Sequence, residues 1–380
     1  MRNLNPPLGS LSVDQFMRRH WQRKPLLIRG ALPGFVPPVS TDSLFELAAR
    51  DDVESRLVRQ QRGRWRLDRG PFEPDSLPTR RQRAWTLLVQ GVDGHVDAVH
   101  DLLALFRFVP DARLDDLMIS FATDGGGVGP HVDSYDVFLL QAHGRRRWRI
   151  SAPGAIELVP DAPLRILSNF EAQQEWVLEP GDILYLPPLW GHEGTALGEC
   201  MTYSIGFRAP SRLELLRGFL ADCADTVGGP DPRFGDRGLT PTRTPGRLPE
   251  PMAQTLSRWL TDWRPGRKEA DDYIGRFLTE PKPTVWFEPP ARATAAGAWW
   301  DDARRHGLRA DRRSRLAYRA RRLFINGESF ALPAGASAAL RALADKRELP
   351  PDALAATPVD SALAQMLHQW FSAGWIHYRR

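Results

Sequence analysis

From residue 117 to residue 207 the chain is cut into short β-rich runs by Gly, Pro, Asn and Asp, and this pattern constrains its fold more than anything else in the sequence. The runs cover 118–122, 131–141, 145–151, 176–178, 183–186 and 201–207. Short strands at that spacing close into a sandwich or a small barrel, because a half-apolar strand needs a second layer to cover it. The flanks read differently. Helical patterns occupy 13–21, the stretch from the Ser40-Thr41-Asp42 capping cluster to Ala49, and 96–106. Residues 24–29, 56–67 and 85–90 read as further strands, and 70–78 as a loop. After Pro210 come helices at 212–226, 251–263 and 269–278, then a Pro-rich break at 280–290. The last part mixes helices with a strand pair, 323–325 and 329–332, around the Asn326-Gly327 turn, and resembles a small winged-helix unit. The whole is an α+β chain of several units, as its 380 residues require.

The run with the most chemistry is Gly125-Gly126-Gly127-Val128-Gly129-Pro130-His131-Val132-Asp133. On a strand, residues i and i+2 share a face, so His131 and Asp133 are expected to point the same way. A third ligand must come from elsewhere. The candidate is His192, which follows Gly181-Asp182-Ile183-Leu184-Tyr185-Leu186-Pro187-Pro188-Leu189-Trp190. Two imidazoles and one carboxylate on one side of an iron leave three positions for cosubstrate and O₂. A lone His-x-Asp is weak; the downstream Gly-Asp-strand-Pro-Pro run ending in a histidine makes it specific. His20, His95, His100 and His306 read as ordinary helix or loop residues, His143 as part of a hairpin turn with Gly144, and His368 and His377 lie outside the β region.

In Arg145-Arg146-Arg147-Trp148-Arg149-Ile150 one face carries Arg146, Trp148 and Ile150, and that face should point inward. A buried guanidinium without a partner costs several kcal/mol, so it calls for a protein acid or a bound anion, and its fork suits a ligand carboxylate. Net charge is +5, carried almost wholly by arginine, which is weak support for a nucleic-acid surface. Cys200 and Cys223 are expected as free thiols in a reducing compartment. No apolar run is long enough to cross a membrane and the first seven residues lack a secretory pattern, so residence in the cytoplasm is expected.

Gly125–Asp133 with Tyr135-Asp136-Val137-Phe138, Gly144 to Trp148, Gly181 to His192, and Tyr203-Ser204-Ile205-Gly206-Phe207-Arg208 together closely resemble the bacterial JmjC-type ribosomal oxygenases. His20-Trp21-Gln22-Arg23-Lys24-Pro25-Leu26 and Trp85 to Val92 are similar to that family too. The resemblance is strong over residues 10–210 and extends to the rest by layout. It implies a double-stranded β-helix (cupin/JmjC) core in 1–210, a helical dimerisation segment in 211–285 and a C-terminal winged-helix-like domain in 286–380 that does not bind DNA. It implies Fe(II), 2-oxoglutarate and O₂ as metal and cosubstrates. His131, Asp133 and His192 match the iron ligands, and Arg146 the site of the distal cosubstrate carboxylate, with Ser120 as a further contact. Ala122 stands where a hydroxyl is expected. Asp124, Tyr135 and Ser204 are expected at the substrate mouth. The implied activity is hydroxylation of an arginine side chain of large-subunit ribosomal protein L-sixteen. Hydroxylation of another residue such as histidine, or a non-catalytic ribosome-binding role, are the alternatives. A homodimer is expected through Leu216, Phe219, Leu256, Trp259 and Leu260.

Overall fold

The computed structural model describes residues 6–379 except 62, 227, 229–232, 238–240, 242, 263, 293–294 and 334. Helix α1 (Val13–Arg19) opens with a capping box: Ser12 Oγ accepts the Gln15 N–H while the Gln15 side chain accepts the Ser12 N–H. Ser40 caps α2 (Thr41–Ala48) through the Ser43 N–H. With α3 (Asp97–Leu103), these helices lie on a nine-stranded antiparallel sheet. Its strands are β1 (Leu26–Ile28), β2 (Ser55–Gln61), β3 (Arg64–Arg69), β4 (Trp85–Val89), β5 (Leu114–Ala122), β6 (Val137–Ser151), β7 (Gln174–Leu178), β8 (Ile183–Leu186) and β9 (Gly191–Phe207). The order is β1-β8-β6-β9-β5-β4-β2-β3, with β7 beside the second half of β6. The expected strand over 56–67 is thus a hairpin, with Gln61 opposite Arg64.

Strands β6 and β9 pair along almost their whole length and bend together. The bend is where the sequence suggested a hairpin turn at 143–144, and there the structure corrects the reading. The chain does not reverse. Register shifts on either side of His143 mark a bulge, and Gly144 takes φ +60°. A Cβ on Gly144 would sit 2.0 Å from the Glu199 carbonyl oxygen, so only glycine lets β6 fold over β9 at this point. Before the bend β6 takes β8 on its free edge; after it, β7. Both faces of the sheet are covered. Leu117, Ile119, Phe121, Phe138 and Ile205 pack outward with Phe16, Leu44 and Val99. Val137, Leu139, Trp148, Ile150, Leu184 and Leu186 fill the barrel interior.

Beyond the barrel come α4 (Arg212–Thr226), α5 (Glu250–Asp262) and α6 (Arg267–Thr279). Trp263, the expected end of the middle helix, lies outside the described residues. The C-terminal unit has α7 (Ala296–His306), β10 (Leu308–Ala310), β11 (Leu316–Arg319), β12 (Arg322–Ile325), β13 (Glu328–Ala331), α8 (Ser337–Lys346), β14 (Glu348–Leu349), α9 (Ala362–Ser372) and β15 (Ile376–Tyr378). Its core is built on Trp299, Trp300, Leu340, Leu367 and Trp370. The Asn326-Gly327 turn joins β12 and β13 with both residues at positive φ, as a two-residue hairpin requires. Among the described residues no helix is long and apolar enough to cross a membrane. Cys200 and Cys223 are buried free thiols.

Candidate metal centre

His131 and Asp133 lie ahead of β6, in the glycine-rich lead, and not on a strand face as the i, i+2 argument had it. Their convergence has another cause. His131 and the second residue of β9, His192, exchange both backbone hydrogen bonds, at 3.0 and 2.9 Å. The Asp133 carbonyl accepts the Leu189 N–H at 2.7 Å. Two backbone links therefore fix the lead against the turn before β9. Gly129, two residues before His131, has φ +78°, and a Cβ there would lie 2.7 Å from Ile166 Cδ1 and 2.8 Å from Trp65 Cζ2. The lead is thus clamped between β3 and the β6–β7 connection, whose Leu167 N–H reaches the Pro130 carbonyl.

Asp133 Oδ2 stands 3.6 Å from His192 Nε2 and 4.0 Å from His131 Nε2. One ligand atom from each of the three residues lies within 4.8 Å of the others, the only such cluster of His, Cys, Asp and Glu among the described residues. His131 Nδ1 is 2.9 Å from the Gly129 carbonyl and His192 Nδ1 is 3.0 Å from the Trp190 carbonyl. A carbonyl can only accept, so each Nδ1 carries the proton and each Nε2 keeps its lone pair turned toward Asp133. Burial, reinforced by His131, pushes the His192 pKa down to about 4, which keeps the ring in its neutral, ligating form. Two imidazoles and a carboxylate suit a non-haem ferrous ion.

The inward face of β6 carries Arg146, 4 % exposed, as the alternation predicted. Its Nη1 donates to Ser120 Oγ at 3.2 Å, and Ser120 in turn donates to the Thr202 carbonyl. Nε and Nη2 are buried without a partner, and so is Trp148 Nε1. No carboxylate among the described residues pairs with Arg146; the ring of Trp148, 5.8 Å away, is its other neighbour. A buried cation with two idle donors is the chemistry of a site for a carboxylate ligand. On β9 the residue opposite Arg146 is Ala196, and the residue opposite Ile150 is His192. Four residues of strand, roughly 13 Å, separate the two positions.

The three expected substrate residues are not brought together. Met118 faces Ser204 across β5 and β9, and a Cβ on Gly206 would be 4.0 Å from the Tyr135 ring. Tyr135 and Ser204 therefore share one end of the barrel. Asp124 lies past the opposite end of β5, half exposed, with its carboxylate held by Arg83 at 2.7 Å and by the Gly198 N–H at 2.9 Å. The acid that does accompany Tyr135 and Ser204 is Asp116. It is 5 % exposed, and its Oδ1 would lie 3.9 Å from a Cβ on Gly206. Burial, and then the charges of Asp133, Asp116 and Asp115, raise the Tyr135 phenol above its usual range.

The JmjC domain family matches residues 101–215, and the ROXA-like winged-helix family matches residues 258–377. Over 283 residues the chain is 38 % identical to the ribosomal protein uL16 3-hydroxylase of Escherichia coli K12, which spans 74 % of this chain and 75 % of that protein. The chain belongs to the JmjC ribosomal oxygenase family. A crystal structure of E. coli YcfD superposes with a TM-score of 0.83 at 33 % identity, covering 98 % of this chain and 99 % of that one. The ribosomal oxygenase YcfD in complex with cobalt and 2-oxoglutarate superposes at 0.80, also at 33 % identity over 98 % and 99 % of the two chains. In this ribosomal oxygenase the buried acid beside Gly206 that sequence reasoning did not single out is Asp116.

Proposed function

We propose that this chain is an Fe(II)- and 2-oxoglutarate-dependent hydroxylase of an arginine side chain in ribosomal protein uL16. His131, Asp133 and His192 hold the metal, and Arg146 with Ser120 takes the distal carboxylate of the cosubstrate. The observation that carries the reading is the pairing of a three-ligand cluster with a buried arginine whose Nε and Nη2 have no partner. With metal and cosubstrate bound, decarboxylation of 2-oxoglutarate to succinate and CO₂ uses one atom of O₂ and delivers the other as a hydroxyl on a substrate carbon. The protein's own part is positional. Backbone links between the lead and β9 fix the ligands, and Trp148, Ile150 and Leu139 wall the interior against water. Asp116, Tyr135 and Ser204 receive the substrate side chain, with Asp116 in the role first given to Asp124. A carboxylate there favours a planar guanidinium, whose fork uses two oxygens, over a compact ammonium. Arginine also has the length to reach an enclosed metal from a loop that stays outside.

Purified enzyme with Fe(II) and 2-oxoglutarate is expected to add one oxygen atom to uL16 at a single arginine, read by mass spectrometry. A version with that arginine changed to lysine should stay unmodified. Modification of a histidine instead would move the substrate assignment and leave the oxygenase chemistry in place.

The reading extends to assembly and location: residues 1–210 are catalytic, 211–285 dimerise, 286–380 form a winged-helix-like unit that does not bind DNA, and the enzyme works in the cytoplasm, where ribosomes are made. Support for the dimer is apolar surface. Leu216, Trp259 and Leu260 are 47 %, 41 % and 81 % exposed on α4 and α5, whereas Phe219 already packs against the Tyr273 ring of α6. A two-fold pair is the commonest way to cover such a face. Sedimentation at micromolar concentration should give a dimer, and Leu216→Glu combined with Leu260→Glu a monomer; a monomeric parent would rule out this assembly.

A further inference from the structure

The connector between α6 and α7 runs back against the catalytic barrel. There Lys282 places its ammonium 2.8 Å from Asp116 Oδ2 and 3.4 Å from Asp115 Oδ2. Gln90 Nε2 donates to the same Asp116 Oδ2 at 2.7 Å, while Arg56 holds the Gln90 carbonyl from the far side at 3.1 Å. Both donors thus act on one carboxylate oxygen. The other, Oδ1, lies beside Gly206: a Cβ there would be 3.9 Å from it and 4.0 Å from the Tyr135 ring.

We propose that Lys282 is a positioning residue for the substrate site: with Gln90 it occupies Oδ2 of Asp116 and so presents Oδ1, fixed and charged, to an incoming cationic side chain. The inference rests on the reading of Asp116 as the acid that meets that side chain. The geometry requires such a holder. Asp93, Asp115 and Asp116 are three acids in one buried corner, and like charges this close favour taking up a proton. Asp93 shows the strain: burial, then Asp116, push its pKa up to about 6. The cations facing the corner include Lys282, Arg315 on Asp115, Arg56 behind Gln90 and Arg347 on the side of Asp93. Of these only Lys282 touches Asp116. Burial works against its ammonium, but Asp116 and Asp115 outweigh that and hold its pKa above the usual range. A substrate cation that displaced Lys282 would have to expel a half-buried, doubly paired charge. One that donates to Oδ1 leaves Lys282 in place. On this reading the C-terminal half of the chain completes the substrate site.

The test uses full-length enzyme loaded with Co(II) and 2-oxoglutarate, which binds without turnover, and calorimetric titration with intact uL16. Lys282→Gln should weaken uL16 binding about tenfold or more, the order expected when one partner of a buried charge pair is removed. Lys282→Arg should stay within about threefold of the parent. Both should keep the parent's affinity for 2-oxoglutarate and its melting temperature within a few degrees, so a misfolded variant would be recognised. A second reading separates positioning from packing. Without the ammonium the acid corner takes up a proton nearer neutrality, so binding by Lys282→Gln should fall more steeply than the parent's between about pH 8 and pH 6. Equal or tighter uL16 binding by Lys282→Gln would overturn the proposal and make Lys282 a competitor for the acid. Asp116→Asn tells the two layers apart. If it weakens uL16 binding while Lys282→Gln does not, the positioning role alone fails. If it leaves binding unchanged, the assignment of Asp116 fails, and the inference falls with it.

Discussion

Alanine in place of His131, Asp133 or His192, one at a time, is expected to abolish hydroxylation and to weaken Fe(II) binding by at least about a hundredfold, since even losing the groups that orient a ligand costs 10–100-fold. Each residue supplies one of three donors, and the ligand atoms already lie within 4.8 Å of one another, so neither remaining pair can rebuild the cluster. The fold should survive. The link between the lead and β9 runs through the backbone of His131 and His192, and alanine keeps those N–H and carbonyl groups. Metal content after dialysis, together with turnover at saturating Fe(II), measures the effect. Parent-level turnover in any one variant would remove that residue from the set. Asp133→Asn adds a further discrimination: the amide preserves shape but not charge, and a hard ferrous ion should lose most of its affinity all the same.

Arg146→Met is expected to raise the 2-oxoglutarate requirement by roughly 2–5 kcal/mol, the cost of truncating one partner of a buried hydrogen-bonded charge pair. That is about 30-fold to several-thousandfold in affinity. Iron binding should change far less, because Arg146 touches Ser120 and the Trp148 ring and none of the metal ligands. Stability separates this role from a structural one. In the protein without cosubstrate, Nε and Nη2 of Arg146 are buried and idle. Removing an uncompensated buried cation and filling its space with an apolar side chain should leave the melting temperature unchanged or raise it. A fall of many degrees together with unchanged cosubstrate affinity would mean that the guanidinium supports the fold. Arg146→Lys should recover little, since a compact ammonium cannot reproduce the two-pronged contact.

Where the sequence was legible, local chemistry carried the information. Alternation in Arg145–Ile150 placed Arg146 inward on its own, because a strand's side chains alternate whatever the strand pairs with. Ser40 capped its helix and Asn326-Gly327 turned its hairpin for equally local reasons. The hairpin expected at 143–144 was wrong because a glycine at positive φ serves a turn and a bulge alike. What decides between them is the partner strand, and Glu199 is too far along the chain to be seen locally. Asp124 was expected at the substrate mouth from the family resemblance, yet β5 carries it to the opposite end of the barrel from Tyr135 and Ser204.

The residue types were therefore determined by the sequence alone: two histidines and an aspartate in recognisable runs, an inward arginine, and glycines where the backbone must pass close to its neighbours. Tertiary structure decided which of them meet. His131 and Asp133 converge with His192 through a backbone bridge across 60 residues of chain, not through a shared strand face. Asp116 became a candidate only when β5, β9 and the connector carrying Lys282 closed around it. Alternation is a property of each strand and can be read from its residues. Register across strands and the path of a connector depend on what distant segments bury together, and that exists only once the chain has folded.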